Sequence, residues 1–470
     1  MNQDASYFFC GIGGSGMLPL ALIVQAQGHA IEGSDRALDQ GRTPEKFDWL
    51  RAHGVTLHPQ DGSGVTRPSQ IVVATGAVEE TVPDIGAARR AGATIKTRPQ
   101  LLSELFNAAP TSIGVAGTSG KSTITGMIAW ILSQAGRTPT VMNGAVMKNF
   151  VDADHPFASA LIGGPDLFVS EVDESDGSIA GYDPTVAVVS NISLDHKSME
   201  ELRDLFGGFT ARAATAVLNL DNPETAALAQ ELAQTAPAAR VITFALGEEK
   251  ADLSAHDLQP LPAGMKFRLI EGWSEYDVVL NVPGAHNVAN ALAALGAVKA
   301  VGVPTGEAVK ALETFAGIRR RMEVVGTAND ITVIDDFAHN PDKIAATLKT
   351  LHAFDGRLLI LFQPHGFGPL KLMRQEFIDG FAGLMRQDDV LLMPEPVYYG
   401  GTTDRSVGSE DIASGVRAAG RQAEALPTRA ACGDRIVEMA QPGDRIIVMG
   451  ARDDTLSSFA ADLLGRLARR

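Results

Sequence analysis

The sequence predicts the α/β class, with three α/β domains in series. Three observations carry that prediction. Short β-rich apolar runs alternate with helix-length segments along most of the chain, which is the rhythm of a parallel sheet covered by helices. Glycine-rich stretches at 11–16 and 117–120 each follow an apolar run and open a helix-length segment. The rhythm is broken at "NAAPTS" and again at "GIRRRMEVVG". These breaks place the domains at 1–107, 108–318 and 319–470.

In the first domain "SYFFCGI", "HAIEGSD" and "QIVVATG" read as strands, with helices expected over 15–27 and 44–53. The second opens with the strand "SIGVAG" and a helix from Lys121, and "DLFVSEVDE" and "TVAVVSNIS" follow as buried strands. "GMKFRLI" and "YDVVLNV" around "EGWSE" read as antiparallel strands, followed by helices over 286–301 and 305–315. The third domain has "ITVIDDF", "RLLILF", "DVLLM" and "DRIIVMG" as strands.

The chain has 470 residues with 40 basic and 56 acidic side chains, a formal net charge of −16. An acidic surface argues against nucleic acid, whose phosphates attract basic proteins. Two cysteines make neither a metal-ligand nor a disulfide pattern. The start of the chain lacks a secretory signal pattern and no long apolar run appears, so a cytoplasmic protein without a membrane partner is expected.

Gly11, Gly13 and Gly16 spell G-x-G-x-x-G, and Asp35 lies about 20 residues on, where a dinucleotide-binding fold places its ribose acid. On these residues alone an NAD-dependent oxidoreductase is one reading. The second stretch, "GVAGTSGKSTITG", has Gly117, Gly120, Lys121 and Ser122 between an apolar run and a helix. Glycines let backbone N–H groups curl around phosphate oxygens, the helix N-terminus adds positive potential, and a lysine reaches the terminal phosphates. The pattern is shorter than G-x-x-x-x-G-K-[ST], because position 115 is valine.

Glu171, Asp173, Glu174 and Asp176 crowd the end of the next apolar run, and Mg²⁺ favours oxygen ligands. One of these carboxylates is expected to meet a metal held by Ser122; the plain alternative is a solvated acidic turn. Asn191, Asp195 and His196 end another buried run. Asn287 and Asn290 are three apart, on one face of a helix. Such amides can pair with an adenine edge, or Asn287 can cap the helix.

These stretches together resemble the Mur ligase family, the ATP-dependent amide-forming enzymes of peptidoglycan assembly, over nearly the whole chain. "GTSGKST", "EVDESDGS", "NISLDH", "PGAHNVANALAA" and "VIDDFAHNP" resemble the family's landmarks in order. "GIGGSGM", "EGSD" and "FQPH" resemble the branch that joins L-alanine to UDP-N-acetylmuramate. The resemblance implies a Rossmann-like N-terminal domain, a P-loop ATPase-like centre and a Rossmann-like C-terminal domain that closes over ATP and the amino acid. The first glycine loop then carries a UDP-sugar, since a helix N-terminus favours a diphosphate whichever nucleoside bears it.

Under that resemblance, UDP-sugar binding falls to Gly11, Gly13, Gly14, Ser15, Gly16, Met17, Ser34 and Asp35. ATP binding falls to Gly117, Thr118, Ser119, Gly120, Lys121, Ser122, Thr123, Asn287, Asn290, Arg320 and Asp336. Lys121, Glu171, His196 and His339 are the implied catalytic residues, with Ser122, Glu171 and His196 as Mg²⁺ ligands. His339, His365 and Lys371 are placed near the incoming amino acid. ATP phosphorylates the muramyl carboxylate, and an amine displaces phosphate from the acyl phosphate. The partners implied are UDP-N-acetylmuramate and an amino acid or short peptide, with no nucleic acid, acting on a monomer or homodimer.

Two stretches depart from the L-alanine branch. Ser119 stands where that branch usually has histidine. "FQPHGFGPLKLMR" has Gly366 and Gly368 where an arginine pair holds the amino acid's carboxylate. A glycine cannot replace a guanidinium fork. Either Lys371 or Arg374 substitutes, or the acceptor is larger, as in the recycling ligase that adds a tripeptide.

Overall fold

The computed structural model describes residues 6–75, 81–194, 197–235, 238–247, 250–261, 263–397, 404–451, 453 and 455–470. Among the described residues three sheets form, one in each expected domain. The chain divides into two compact units: Met1–Leu258 with Phe267–Val279 and His286–Ala316, and Gln259–Lys266 with Leu280–Ala285 and Gly317–Arg470.

The first sheet contains β1 (Ser6–Cys10), β2 (Ile31–Ser34), β3 (Thr56–His58), β4 (Gln70–Ala74) and β5 (Thr94–Thr97), in the order β3-β2-β1-β4-β5. All four pairings are parallel. The winding reverses between β1 and β4, and in such sheets ligands bind at the carboxyl ends of the strands flanking that point.

The second sheet has ten strands: β6 (Thr111–Ala116), β7 (Thr140–Met142), β8 (Ala160–Leu161), β9 (Leu167–Glu171), β10 (Val186–Val189), β11 (Thr215–Asn219), β12 (Arg240–Leu246), β13 (Leu253–Leu261), β14 (Gly264–Glu271) and β15 (Ser274–Leu280). β6 lies between β9 and β10, parallel to both. The residues of β10 and β11 are buried throughout, as strands covered on both faces must be. β14 and β15 are neighbours joined by Gly272 and Trp273, a two-residue turn that only antiparallel strands can use. Gly272 has φ +57°, the left-handed conformation such turns favour. The first two domains share one apolar core in which Phe106 packs edge-on against Phe168 and Tyr182.

The third sheet contains β16 (Glu323–Ala328), β17 (Ile331–Asp336), β18 (Leu358–Gln363), β19 (Val390–Pro394), β20 (Gln422–Leu426) and β21 (Arg445–Gly450), ordered β16-β17-β21-β18-β19-β20. Only β16 pairs antiparallel, at the edge. Leu358, Ile360 and Phe362 enter one core while Leu359 and Leu361 enter another. Alternation along a strand sends neighbours to opposite faces, and here helices cover both. Leu456, Ala460, Leu463 and Leu467 of the last helix cover one face at helical spacing. Each fully buried leucine contributes about 1.5–3 kcal/mol.

The expected elements form within a few residues of their anticipated ends. Five strands in the first domain exceed the three anticipated, and β16 and β20 were not anticipated in the third.

Candidate active site

The phosphate-loop candidate joins β6 to the helix Lys121–Gln134. Its conformation requires glycine at two points. Gly117 has φ +129° and a Cβ there would lie 2.2 Å from Ser190 Oγ; Gly120 has φ +88° and its Cβ would lie 2.5 Å from Asn290 Oδ1. Both neighbours are close because β10 runs beside β6 and the helix Ala285–Ala300 packs against the loop. Thr118 N–H donates to Asn191 O (3.0 Å), Ser119 N–H to Asn191 Oδ1 (3.1 Å) and Ser190 Oγ to Ser119 O (2.6 Å). The loop is thus held before any ligand arrives.

Lys121 Nζ donates to Gly117 O at 2.6 Å and to Glu174 Oε2 at 2.9 Å. Glu174 is only 5% exposed. Ser122 Oγ donates to Glu171 Oε1 at 2.9 Å, and the other oxygen of that carboxylate accepts from Gly144 N–H. The parallel register sets Val115 opposite Glu171, which delivers the carboxylate to the loop. Asp173 is held below the usual carboxylate range: burial opposes this, but the Ser175 N–H and the charges of Lys121 and Arg98 outweigh it. Asn290 Nδ2 donates to Asn287 Oδ1 at 3.0 Å, both side chains buried. Thr123 is buried in the same helix. His196 lies outside the described residues.

The first glycine loop follows β1. Gly11 has φ +75°, and Gly14 N–H donates to Gly11 O. Asp35 Oδ2 accepts from Gly13 N–H (2.8 Å), and Oδ1 accepts from Ala37 N–H (2.7 Å). The carboxylate that would read a ribose in an oxidoreductase is a clasp between the loop and the following turn. Lys46 Nζ donates to Gly13 O at 3.1 Å. Gly14 and Ser15 are exposed at the tip. Met17 enters the core, and Ser34 points inward to bond Asp84 at 2.6 Å. A cavity of about 240 Å³ at the carboxyl ends of β1 and β4 is lined by Cys10, Gly11, Asp35, Arg36, Gln60 and Thr75, among others.

In the third domain His339 and His365 come together edge to face, with ring centroids 5.4 Å apart. His339 Nδ1 bonds Phe337 O at 2.8 Å. Burial pulls its pKa down to about 4, and the charges of Lys343, His365 and Arg321 pull the same way. At neutral pH it is an uncharged imidazole. Arg320 is buried and contacts Asp335, Asp453 O and Gly450 O. Asp336 accepts from Met322 N–H and Thr347 Oγ1. Lys371 pairs with Asp404, and Arg374 lies 3.7 Å from Asp411. These four side chains therefore have partners inside their own domain. Gly366 has φ +153°, while a Cβ at Gly368 would meet nothing within 4 Å.

Sequence reasoning missed Asn143, which donates to Ser122 O, along with Gly144 and Lys46 as partners of the loops, and it singled out Glu174 as one of four acids near a metal rather than as the partner of Lys121. An Asn-Gly pair after the short strand β7 was the one signal for Asn143 and Gly144.

Residues 6–109, 115–298 and 320–452 match, in turn, family models described as Mur ligase family, catalytic domain; Mur ligase middle domain; and Mur ligase, glutamate ligase domain. A UDP-N-acetylmuramate–L-alanine ligase of Streptomyces coelicolor is 34% identical over 460 residues, covering 95% of each chain. One from Jannaschia sp. is 33% identical, covering 99% of this chain and 96% of that one. Among solved structures, UDP-N-acetylmuramate-alanine ligase from Thermotoga maritima superposes with TM-score 0.78 at 24% identity, covering 99% of both chains. A murein peptide ligase from Psychrobacter arcticus superposes with TM-score 0.69 at 26% identity over 99% of each.

Proposed function

We infer the function from one premise: this chain belongs to the Mur ligase family. It is an ATP-dependent ligase that joins L-alanine to the carboxylate of UDP-N-acetylmuramate in peptidoglycan precursor synthesis. That chemistry disposes of the oxidoreductase alternative, and the Asp35 carboxylate on which it leaned accepts from Gly13 N–H and Ala37 N–H.

The observation that carries the residue-level reading is the Lys121–Ser122–Glu171 arrangement around a preformed glycine loop. The N–H groups at the start of the helix Lys121–Gln134 and the Lys121 ammonium bind the terminal phosphates of ATP and offset the repulsion between phosphate and the attacking carboxylate. Ser122 and Glu171 fit a Mg²⁺ site. Their oxygens stand 2.9 Å apart, and adjacent oxygens of an octahedral shell at 2.0–2.1 Å also stand about 2.9 Å apart. His196, the third expected ligand, lies outside the described residues, and Mg²⁺ characteristically keeps several waters and phosphate oxygens in its shell. When bound, the ion supplies Lewis-acid stabilisation of the transferring phosphoryl group.

Asn290, against Gly120, fixes the loop's far side beside the ATP site. The first glycine loop and the cavity beside it take the UDP moiety. His339, with His365 beside it, lies where this reading puts the incoming amine; with a pKa pulled down to about 4 it is a weak base, so its part is to orient the amine rather than to take its proton. The domain division at 107/108 and 318/319 follows the same assignment, and the reaction is placed in the cytoplasm. Among the described residues no helix is long and apolar enough to cross a membrane.

The test is phosphate release from ATP that requires UDP-N-acetylmuramate and an amine together, with L-alanine and the muramyl tripeptide compared. Release with neither amine overturns the ligase assignment. The open space at Gly368 favours a peptide acceptor as the second reading. Gly368→Arg is the discriminating variant, because Gly366 sits at a φ that an arginine would strain. It lowers the KM for L-alanine if the small amino acid is the acceptor, and blocks turnover if the space receives a peptide.

A further inference from the structure

The loop of 117–120 takes its shape from a segment that belongs to no sheet. β10 ends at Val189 and β11 at Asn219, so residues 190–193 lie beyond both strands. Asparagine side chains continue the pairing there, on both sides of the segment. Toward the loop, Asn191 acts as a strand partner would. Its Oδ1 accepts from Ser119 N–H (3.1 Å), its Nδ2 donates to Ser119 O (3.1 Å), and its own carbonyl accepts from Thr118 N–H (3.0 Å). On the side of β11, Asn219 Nδ2 donates to Ser190 O (3.0 Å). Asn222 Oδ1 accepts from Ile192 N–H (3.3 Å), and its Nδ2 donates to Ile192 O (3.2 Å). One amide that both accepts from and donates to a residue's backbone fixes that residue's place along the chain, as a rung of a sheet does. Ile192 and Asn219 are buried.

We propose that Asn222 is a positioning residue for phosphoryl transfer, setting the phosphate loop through Ile192 and Asn191 across the ends of β11, β10 and β6. The inference rests on the reading that the loop of 117–120 takes the phosphates of ATP. Donors that stabilise charge forming in a transition state lose effect when they drift, so the consequence falls on the chemical step. Asn222 also caps the helix Pro223–Thr235, with Oδ1 accepting from Thr225 N–H at 3.1 Å. A test must separate the cap from the rung.

Asn222→Asp does so. The carboxylate keeps both acceptor bonds, to Thr225 N–H and Ile192 N–H, and sets an oxygen against Ile192 O where the amide donated. Phosphate release by the full chain with UDP-N-acetylmuramate and L-alanine is expected to lose about 5–100-fold in kcat, while the KM for UDP-N-acetylmuramate stays within about twofold. Asn222→Ser, a second capping residue without an amide, is expected to show the same split. In an Asn191→Ala background Asn222→Asp should cost less than about twofold more, because the route to the loop is already cut. Wild-type kcat in folded Asn222→Asp and Asn222→Ser proteins overturns the proposal. So does an equal rise in the KM for UDP-N-acetylmuramate, the mark of general loosening, or a full-sized loss in the Asn191→Ala background, the mark of a route that bypasses Asn191. A wild-type chain that releases no phosphate with both substrates present overturns the phosphate-loop reading itself.

Discussion

The two glycine loops share a plan, strand then glycines then helix, but they are built to different tolerances. The loop of 117–120 is locked. Two glycines hold left-handed conformations with no room for a methyl group, and the segment after β10 is bonded to it through Asn191 and Ser190. Its lysine is the first residue of its own helix. The loop of 11–16 is looser. Gly11 alone has a positive φ, the tip is exposed, and its cation, Lys46, comes from another helix. The difference matches two tasks. A group that stabilises charge developing in a transition state works best when fixed beforehand, whereas a group that binds substrate and transition state alike needs only to bind. The second loop is therefore expected to govern kcat and the first to govern the KM for the nucleotide-sugar.

The sharpest way to break this contrast is Lys121→Ala. It is expected to cost on the order of 10²–10³ in kcat, with the KM for UDP-N-acetylmuramate little changed. Steady-state kinetics on the purified, folded variant decide it, and near-wild-type turnover would remove the phosphate-loop assignment.

A paired methyl insertion sharpens it. Gly117→Ala adds a methyl 2.2 Å from Ser190 Oγ at a φ of +129°, and should cost about 1–3 kcal/mol in stability together with ATP turnover. Gly16→Ala meets the flexible side chain of Arg98 at an ordinary φ of −98°, and should cost under about 0.5 kcal/mol in stability. Denaturant unfolding of both variants gives the comparison directly. Equal losses would mean that the loops do not differ in rigidity.

The smallest loss of function is expected from Asp35→Ala. It removes a cap of the kind worth about 0.5–2 kcal/mol and frees Gly13 N–H, so the affinity for UDP-N-acetylmuramate should fall only about 2–30-fold. NAD binding should be absent before and after, and an NAD affinity that the substitution abolishes would reverse the reading of this loop.

Both loops were legible in the sequence because an apolar run, glycines and a helix signal stand in one short stretch. β18 was equally plain, since a strand buried on two faces is apolar at every position. The short strand β3 and the edge strand β20 were not, because exposed edge strands carry polar residues that blur any period. The candidate site histidines His339 and His365 were each legible, but not their 5.4 Å approach, which depends on strands β17 and β18 ending at the same side of a sheet. Least legible were the side chains whose partners lie far along the chain. Ser34 looked ready for a ligand until Asp84, fifty residues on, took its hydroxyl. Arg320, Asp336 and Lys371 likewise have partners inside their domain, and residue type and spacing alone do not reveal such engagements.

The Lys121–Glu174 pair bears on the turnover cycle. The ammonium that would meet a phosphate already has an anion beside it, so an arriving nucleotide exchanges one negative partner for another rather than filling a bare charge. A stray inorganic phosphate must make the same exchange without the many other contacts that ATP brings, which disfavours idle occupancy. As phosphate departs after the amide forms, the nearby carboxylate can recapture the lysine, opposing rebinding of the product and resetting the loop for the next nucleotide.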